Sequence, residues 1–290
     1  MKIFKIAVFG LGVMGSPMAQ NLVKHGYQTM GYNRSLNRSS ALEAAKAGVK
    51  VVSSIAEAAE NADIILTCVG DEKDVQQLIL GSGGIAEYAK PQALIIDCST
   101  IGKTAACELA TTLKAKGLRF LDAPVTGGDI GAVNGTLTIM VGGELADFEE
   151  ALPVFTAIGK KVVHCGLSGS GQAVKLCNQV LCGLHAIAAA EAIQLSKQLG
   201  IEPNLVIDVC GSGAAGSWAL TNLGPKMSKA DFAPGFMVKH LLKDLRLVRE
   251  AAENGELPGV TLAESLFESV QLLGGEDQGS QAIIRAYGEI

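Results

Sequence analysis

The sequence predicts an α/β fold, a doubly wound parallel sheet covered on both faces, followed by an all-α C-terminal domain, with residues 1–167 in the first part and 168–290 in the second. Short β-rich runs alternate with helical patterns through the first half, as they do where helices form the crossovers of a parallel sheet. The runs are nearly continuous in Val, Ile and Leu, as in strands buried on both faces. After Gly171 the strand signal stops and long helical periodicity takes over.

In chain order, KIAVFG (residues 5–10) is the first strand. It runs into Gly10, Leu11, Gly12, Val13, Met14 and Gly15, after which PMAQNLVKHG (17–26) has the spacing of an amphipathic helix. Glycines at such a strand-to-helix turn have separate uses. Gly10 permits the tight turn, Gly12 lets backbone approach a pyrophosphate at the helix N-terminus, and Gly15 lets the helix pack close to the strand. The stretch reads as a dinucleotide site. QTMGYN (28–33), DIILTCVG (63–70), ALIIDCST (93–100), RFLDAPV (119–125), LTIMVGG (137–143) and KVVHCG (161–166) are the further strands. Residues 169–200, closed by Gly200, then form one helix about 45 Å long at about 1.5 Å per residue. It is apolar nearly all round, which predicts burial. His185, Glu191 and the small residues argue against a membrane span and for a second-domain core or a subunit interface.

Composition narrows the partners. A chain of 290 residues, 48% hydrophobic and only 4% aromatic, can bury one large or two medium cores. Its net charge of −5 and lack of a basic run argue against nucleic acid, so the ligand is expected to be small. The 7 cysteines are scattered without CxxC spacing, as reduced thiols of a cytoplasmic protein would be. His25, His164, His185 and His240 lack metal-ligand spacing, and no metal is expected. Lys2 and Lys5 before an apolar run could be read as an export signal, but the glycines interrupt that run and helical spacing continues past Ser16.

Selectivity for the nucleotide should sit at the end of the second strand. There an NAD-selective site carries an Asp or Glu for the ribose hydroxyls, yet no acid occurs between Leu11 and Leu42. The turn offers Asn33, Arg34, Ser35 and Arg38 instead. An arginine there can stack on adenine and pair with a 2′-phosphate, although Arg34 and Arg38 could also be plain solvated charges. NADP is the expected cofactor, with NAD left open.

Four segments, GLGVMGSPMAQNL (10–22), DAPVTGGDIGAVNGTLTIMVGG (122–143), GSGQAVKLCNQ (169–179) and KHLLKDLRL (239–247), resemble in order and spacing the signature segments of the β-hydroxyacid dehydrogenase family. That family includes 3-hydroxyisobutyrate dehydrogenase, tartronate semialdehyde reductase and glyoxylate/succinic semialdehyde reductase. The resemblance implies a Rossmann-type domain, an all-helical domain, and a cleft holding substrate against the nicotinamide.

It also implies roles. Reducing an aldehyde needs a hydride donor and a proton donor, and Lys175 matches the family's catalytic lysine. It falls in the first turns of the long helix, where the helix end and desolvation both disfavour an ammonium. Asn178, three residues on and on the same helix face, matches the substrate-binding asparagine. Many members carry a second asparagine next, where this chain has Gln179. The Thr126 hydroxyl with the amides of Gly127 and Gly128 makes a compact set of donors for a substrate carboxylate, in the segment the family uses so. Val69, Gly70 and Thr100 lie at C-terminal strand ends and are assigned by resemblance to the nicotinamide side. Lys243 would close over cofactor and substrate, with Asp244 fixing its neighbours.

The expected activity is NADPH-dependent reduction of a short carboxylated aldehyde (glyoxylate, succinic semialdehyde or tartronate semialdehyde), reversible as a 3-hydroxyacid dehydrogenase, in a homodimer or homotetramer. The alternatives are an NAD-using 3-hydroxyisobutyrate dehydrogenase, an imine-reductase-like enzyme, against which Lys175 counts, and a non-catalytic NADP-binding protein.

Overall fold

The computed structural model describes residues 4–252 and 255–288. The chain divides into two compact units between Lys175 and Leu176. The first is built on one sheet of nine strands: β1 (Lys5–Phe9), β2 (Gln28–Tyr32), β3 (Lys50–Val52), β4 (Ile64–Thr67), β5 (Leu94–Asp97), β6 (Arg119–Asp122), β7 (Val125–Thr126), β8 (Leu137–Gly142) and β9 (Gly159–Gly166). Spatially they run β3-β2-β1-β4-β5-β6-β8-β7, with β9 against β8. The portion from β3 to β6 has the 3-2-1-4-5-6 order of a Rossmann sheet, with its order reversing between β1 and β4.

Period-two alternation on central strands explains the apolar runs. Ile6 and Val8 join Ile64, Leu66, Leu94, Ile96 and Leu121 in one core. Their neighbours Ala7, Phe9, Ile65, Ile95 and Phe120 pack into a second core on the opposite face. The sheet departs from the all-parallel expectation at one edge. β8 pairs antiparallel with both β6 and β7, because after two residues of β7 the chain turns back through the short helix Gly128–Asn134. β3 and β7 are additions to the strands read from sequence.

The second unit is helical, and no named strand follows β9 among the described residues. The helices Pro203–Gly211, Val238–Ala251 and Pro258–Leu272 pack with most of the long helix Ser170–Gln198 around Ala190, Ile193, Leu241, Leu245, Phe267 and Ile283. In Val238–Ala251 the inward residues Val238, Leu241, Leu245 and Val248 follow three-to-four spacing and carry Asp244 inside with them. The long helix is not covered all round, as its composition had implied. Cys177, Leu181, His185, Ala188, Glu191, Leu195 and Gln198 form one exposed stripe along it.

Candidate active site

In the sheet unit, β1 ends where Gly10 donates its N–H to the Tyr32 carbonyl at 2.9 Å. Gly10 has φ +96, and a Cβ on it would lie 2.2 Å from the Cys68 carbonyl oxygen. A Cβ on Gly15 would lie 1.9 Å from the carbonyl oxygen of Gly10. A Cβ on Gly12 would meet nothing within 4 Å, so open space lies over the middle of the turn, where a ligand would approach. The helix Gly15–Lys24 has no side-chain cap and no acid in its first turn. Its leading N–H groups are therefore suited to an anion, and the turn fits a dinucleotide pyrophosphate. Leu11 is fully buried and its carbonyl accepts the Ser40 hydroxyl at 2.6 Å, whereas Val13 is exposed.

The structure gives Asn33 a task that sequence did not reveal. Its Oδ1 accepts the Leu11 N–H at 3.1 Å, while its Nδ2 donates to the Ser35 carbonyl at 2.8 Å. Buried Asn33 thus ties the glycine turn to the selectivity turn, and the exposed Arg34, Ser35 and Arg38 form that turn's outer surface.

At the ends of β4, β5 and β6 the polar residues interlock. The Thr67 hydroxyl donates to Asp97 Oδ1 at 2.7 Å, and the Val69 N–H donates to Ser99 Oγ at 3.0 Å. Val69, Gly70 and Thr100 thereby sit on adjoining strand ends. Asp122, fully buried at the end of β6, accepts N–H bonds from Gly169 at 2.7 Å and Gln172 at 2.9 Å. Burial pushes its carboxyl up to about 6, with the Asp97 charge adding to the rise and the backbone donors opposing it. Buried Lys175 donates from Nζ to the Val125 carbonyl at 2.9 Å, beside the partly exposed Thr126, Gly127 and Gly128. Lys175 therefore contacts the residue that directly precedes Thr126, Gly127 and Gly128.

The helical unit holds Asn178 and Lys243 through one chain of contacts. Asn178 Nδ2 donates to Gln179 Oε1 at 2.8 Å and to Cys182 Sγ at 3.3 Å. Gln179 Nε2 donates to Asp244 Oδ2 at 2.6 Å, and Lys243 Nζ pairs with Asp244 Oδ1 at 2.8 Å. The longer amide of Gln179, the departure from the family pattern, reaches the buried aspartate and spares it an uncompensated charge. One turn before Lys243, burial lowers the His240 pKa, helped by the Lys243 and Lys239 charges, so its imidazole is neutral at pH 7.

Asp122 and Gln172 were missed by sequence reasoning. The available signal was a polar residue at a strand end and another one turn before Lys175.

Residues 5–166 match the family model described as the NAD binding domain of 6-phosphogluconate dehydrogenase. Residues 169–287 match the one described as NAD-binding of NADP-dependent 3-hydroxyisobutyrate dehydrogenase. The chain is 87% identical over 289 residues, covering 100% of both chains, to an uncharacterized oxidoreductase of Synechocystis sp.. It is 36% identical over 272 residues, 91% of each chain, to the NAD-dependent L-serine dehydrogenase of Pseudomonas aeruginosa. The structure of Mycobacterium tuberculosis 3-hydroxyisobutyrate dehydrogenase with L-serine superposes with a TM-score of 0.86 at 32% identity, covering 99% of this chain and 100% of that one. With its glycine turn, its buried lysine and both halves matched, the chain belongs to the β-hydroxyacid dehydrogenase family and is an NAD(P)-dependent oxidoreductase acting on hydroxyl groups.

Proposed function

We propose that this enzyme is an NADPH-dependent reductase of short carboxylated aldehydes, reversible as a 3-hydroxyacid dehydrogenase, and that it works in the cytoplasm. The observation that carries the reading is the buried Lys175 side chain, its Nζ held 2.9 Å from the Val125 carbonyl on β7, which leads through Thr126 and Gly127 into the helix starting at Gly128. Thr126 and the two glycine amides hold the substrate carboxylate, and Lys175 gives a proton to the carbonyl oxygen in reduction and takes it back in oxidation. Bound NADPH supplies the hydride. By family resemblance Asn178 binds substrate, and Lys243, paired with Asp244 at 2.8 Å, contacts cofactor and substrate.

A second reading is oxidation of a 3-hydroxyacid such as L-serine or 3-hydroxyisobutyrate with NAD, favoured by what the relatives are named for. One assay separates the two. Glyoxylate, succinic semialdehyde and tartronate semialdehyde are tested with NADPH and NADH, and L-serine and 3-hydroxyisobutyrate with NADP and NAD. We expect the highest kcat/KM for an aldehyde with NADPH, and the opposite ranking favours the second reading. Lys175→Ala should lower kcat about 10²- to 10⁴-fold while changing cofactor affinity only a few-fold. Near-normal turnover in that variant would exclude the lysine from the chemistry.

A further inference from the structure

Lys175 is a long, flexible side chain, and its ammonium is useful only where the helix start beneath it is fixed in height and rotation. The structure fixes that start by two buried side chains. Asp122 binds it from the sheet, each carboxylate oxygen taking one N–H, from Gly169 and from Gln172. The fit is tight, since a Cβ on Gly142 would lie 2.6 Å from Asp122 Oδ1 and one on Gly171 would lie 2.9 Å from Oδ2. Gln172, also fully buried, reaches the loop after β5. Its Oε1 accepts the N–H groups of Ile101 at 3.1 Å and Gly102 at 3.2 Å, and its Nε2 donates to the Ser99 carbonyl at 2.8 Å. These bonds bracket Thr100. Lys175 follows Gln172 by three residues, on the same helix face.

We infer that Asp122 and Gln172 are positioning residues for Lys175, Asp122 setting the height of the helix start against the Val125–Gly128 segment and Gln172 locking that start to the loop carrying Thr100. The inference rests on the catalytic role proposed for Lys175. Asp122 and Val125 lie three residues apart on one stretch of chain, so the same segment holds the backbone of the lysine's helix and receives its ammonium. A carboxylate accepting two N–H bonds is a stronger and more directional cap than the hydroxyl or amide that commonly serves a helix N-terminus.

The test is a double-mutant cycle with the aldehyde of highest kcat/KM. Asp122→Asn keeps the shape of the side chain and loses its charge. It should lower kcat about 10- to 100-fold, leave the NADPH dissociation constant within about threefold by fluorescence titration, and cost almost nothing further in the Lys175→Ala background. Gln172→Met should give the same pattern and replaces Asp122→Asn in the cycle if the latter fails to fold by circular dichroism. A merely structural cap gives a different result. Its losses would multiply with those of Lys175→Ala, or would appear in the melting temperature and NADPH affinity with kcat unchanged, and either outcome overturns the inference. If Lys175→Ala itself keeps its turnover, the proposed function fails first, which the single variant alone reveals.

Discussion

Asn33 shows how one side chain can be found in the right place with a different task. Sequence located it at the selectivity turn, but its amide is spent on the Leu11 N–H and the Ser35 carbonyl, a partnership across 22 residues that no local pattern encodes. On the proposed NADP reading, a 2′-phosphate would be met by the exposed Arg34, Ser35 and Arg38. Charge-assisted bonds on an exposed turn are weakened by solvent and salt, so a net preference of roughly 30- to 150-fold in kcat/KM for NADPH over NADH is expected. Arg34→Ala should remove most of that preference by weakening NADPH alone. Equal loss with both cofactors would make the arginine an adenine-stacking or loop residue and leave NADP selectivity without its source. By contrast, Lys175, Asn178 and Lys243 were singled out from sequence because their motifs stand in order along the chain. The contacts that hold them were not, since Gln179 reaches Asp244 across 65 residues.

At the scale of elements, the buried strands announced themselves by unbroken apolar runs, whereas β3 and β7 have three and two residues and are too short to carry any period. The long helix was legible in length, but the carboxylate beneath its first turn belongs to a strand about fifty residues earlier. That cap has a measurable pH signature. Burial raises Asp122 from 3.8 to about 6, against Asp97 on β5 and Cys165 on β9 as its titratable neighbours. A carboxyl that holds its proton more tightly when folded contributes stability fully below about pH 4, and that contribution is lost as pH rises through about 6. The change corresponds to about 3 kcal/mol. The stability difference between wild type and Asp122→Asn, followed by urea unfolding from pH 4 to 7, should shift against the wild type by that order. A difference that stays flat with pH would mean the carboxyl titrates normally.

For the whole molecule, sequence conveyed the two-part organisation, because a change of hydropathy period survives without any knowledge of contacts. It did not convey how much of the long helix the fold leaves uncovered. Leu181 and Leu195, each 54% exposed, stand with Cys177, His185, Ala188 and Glu191 in one stripe along the helix. We propose that a second copy of the chain covers it in a homodimer or homotetramer, closed symmetric assemblies of identical chains being the commonest oligomers. Light scattering at micromolar concentration should give a dimer or larger, and Leu181→Glu with Leu195→Glu should shift it toward monomer. A wild-type monomer would contradict the assignment. If the stripe is shared between copies, dilution acts on this enzyme as a mild denaturant. Its melting temperature should climb with protein concentration, and an assay run at nanomolar enzyme should lose activity on standing while a concentrated stock does not.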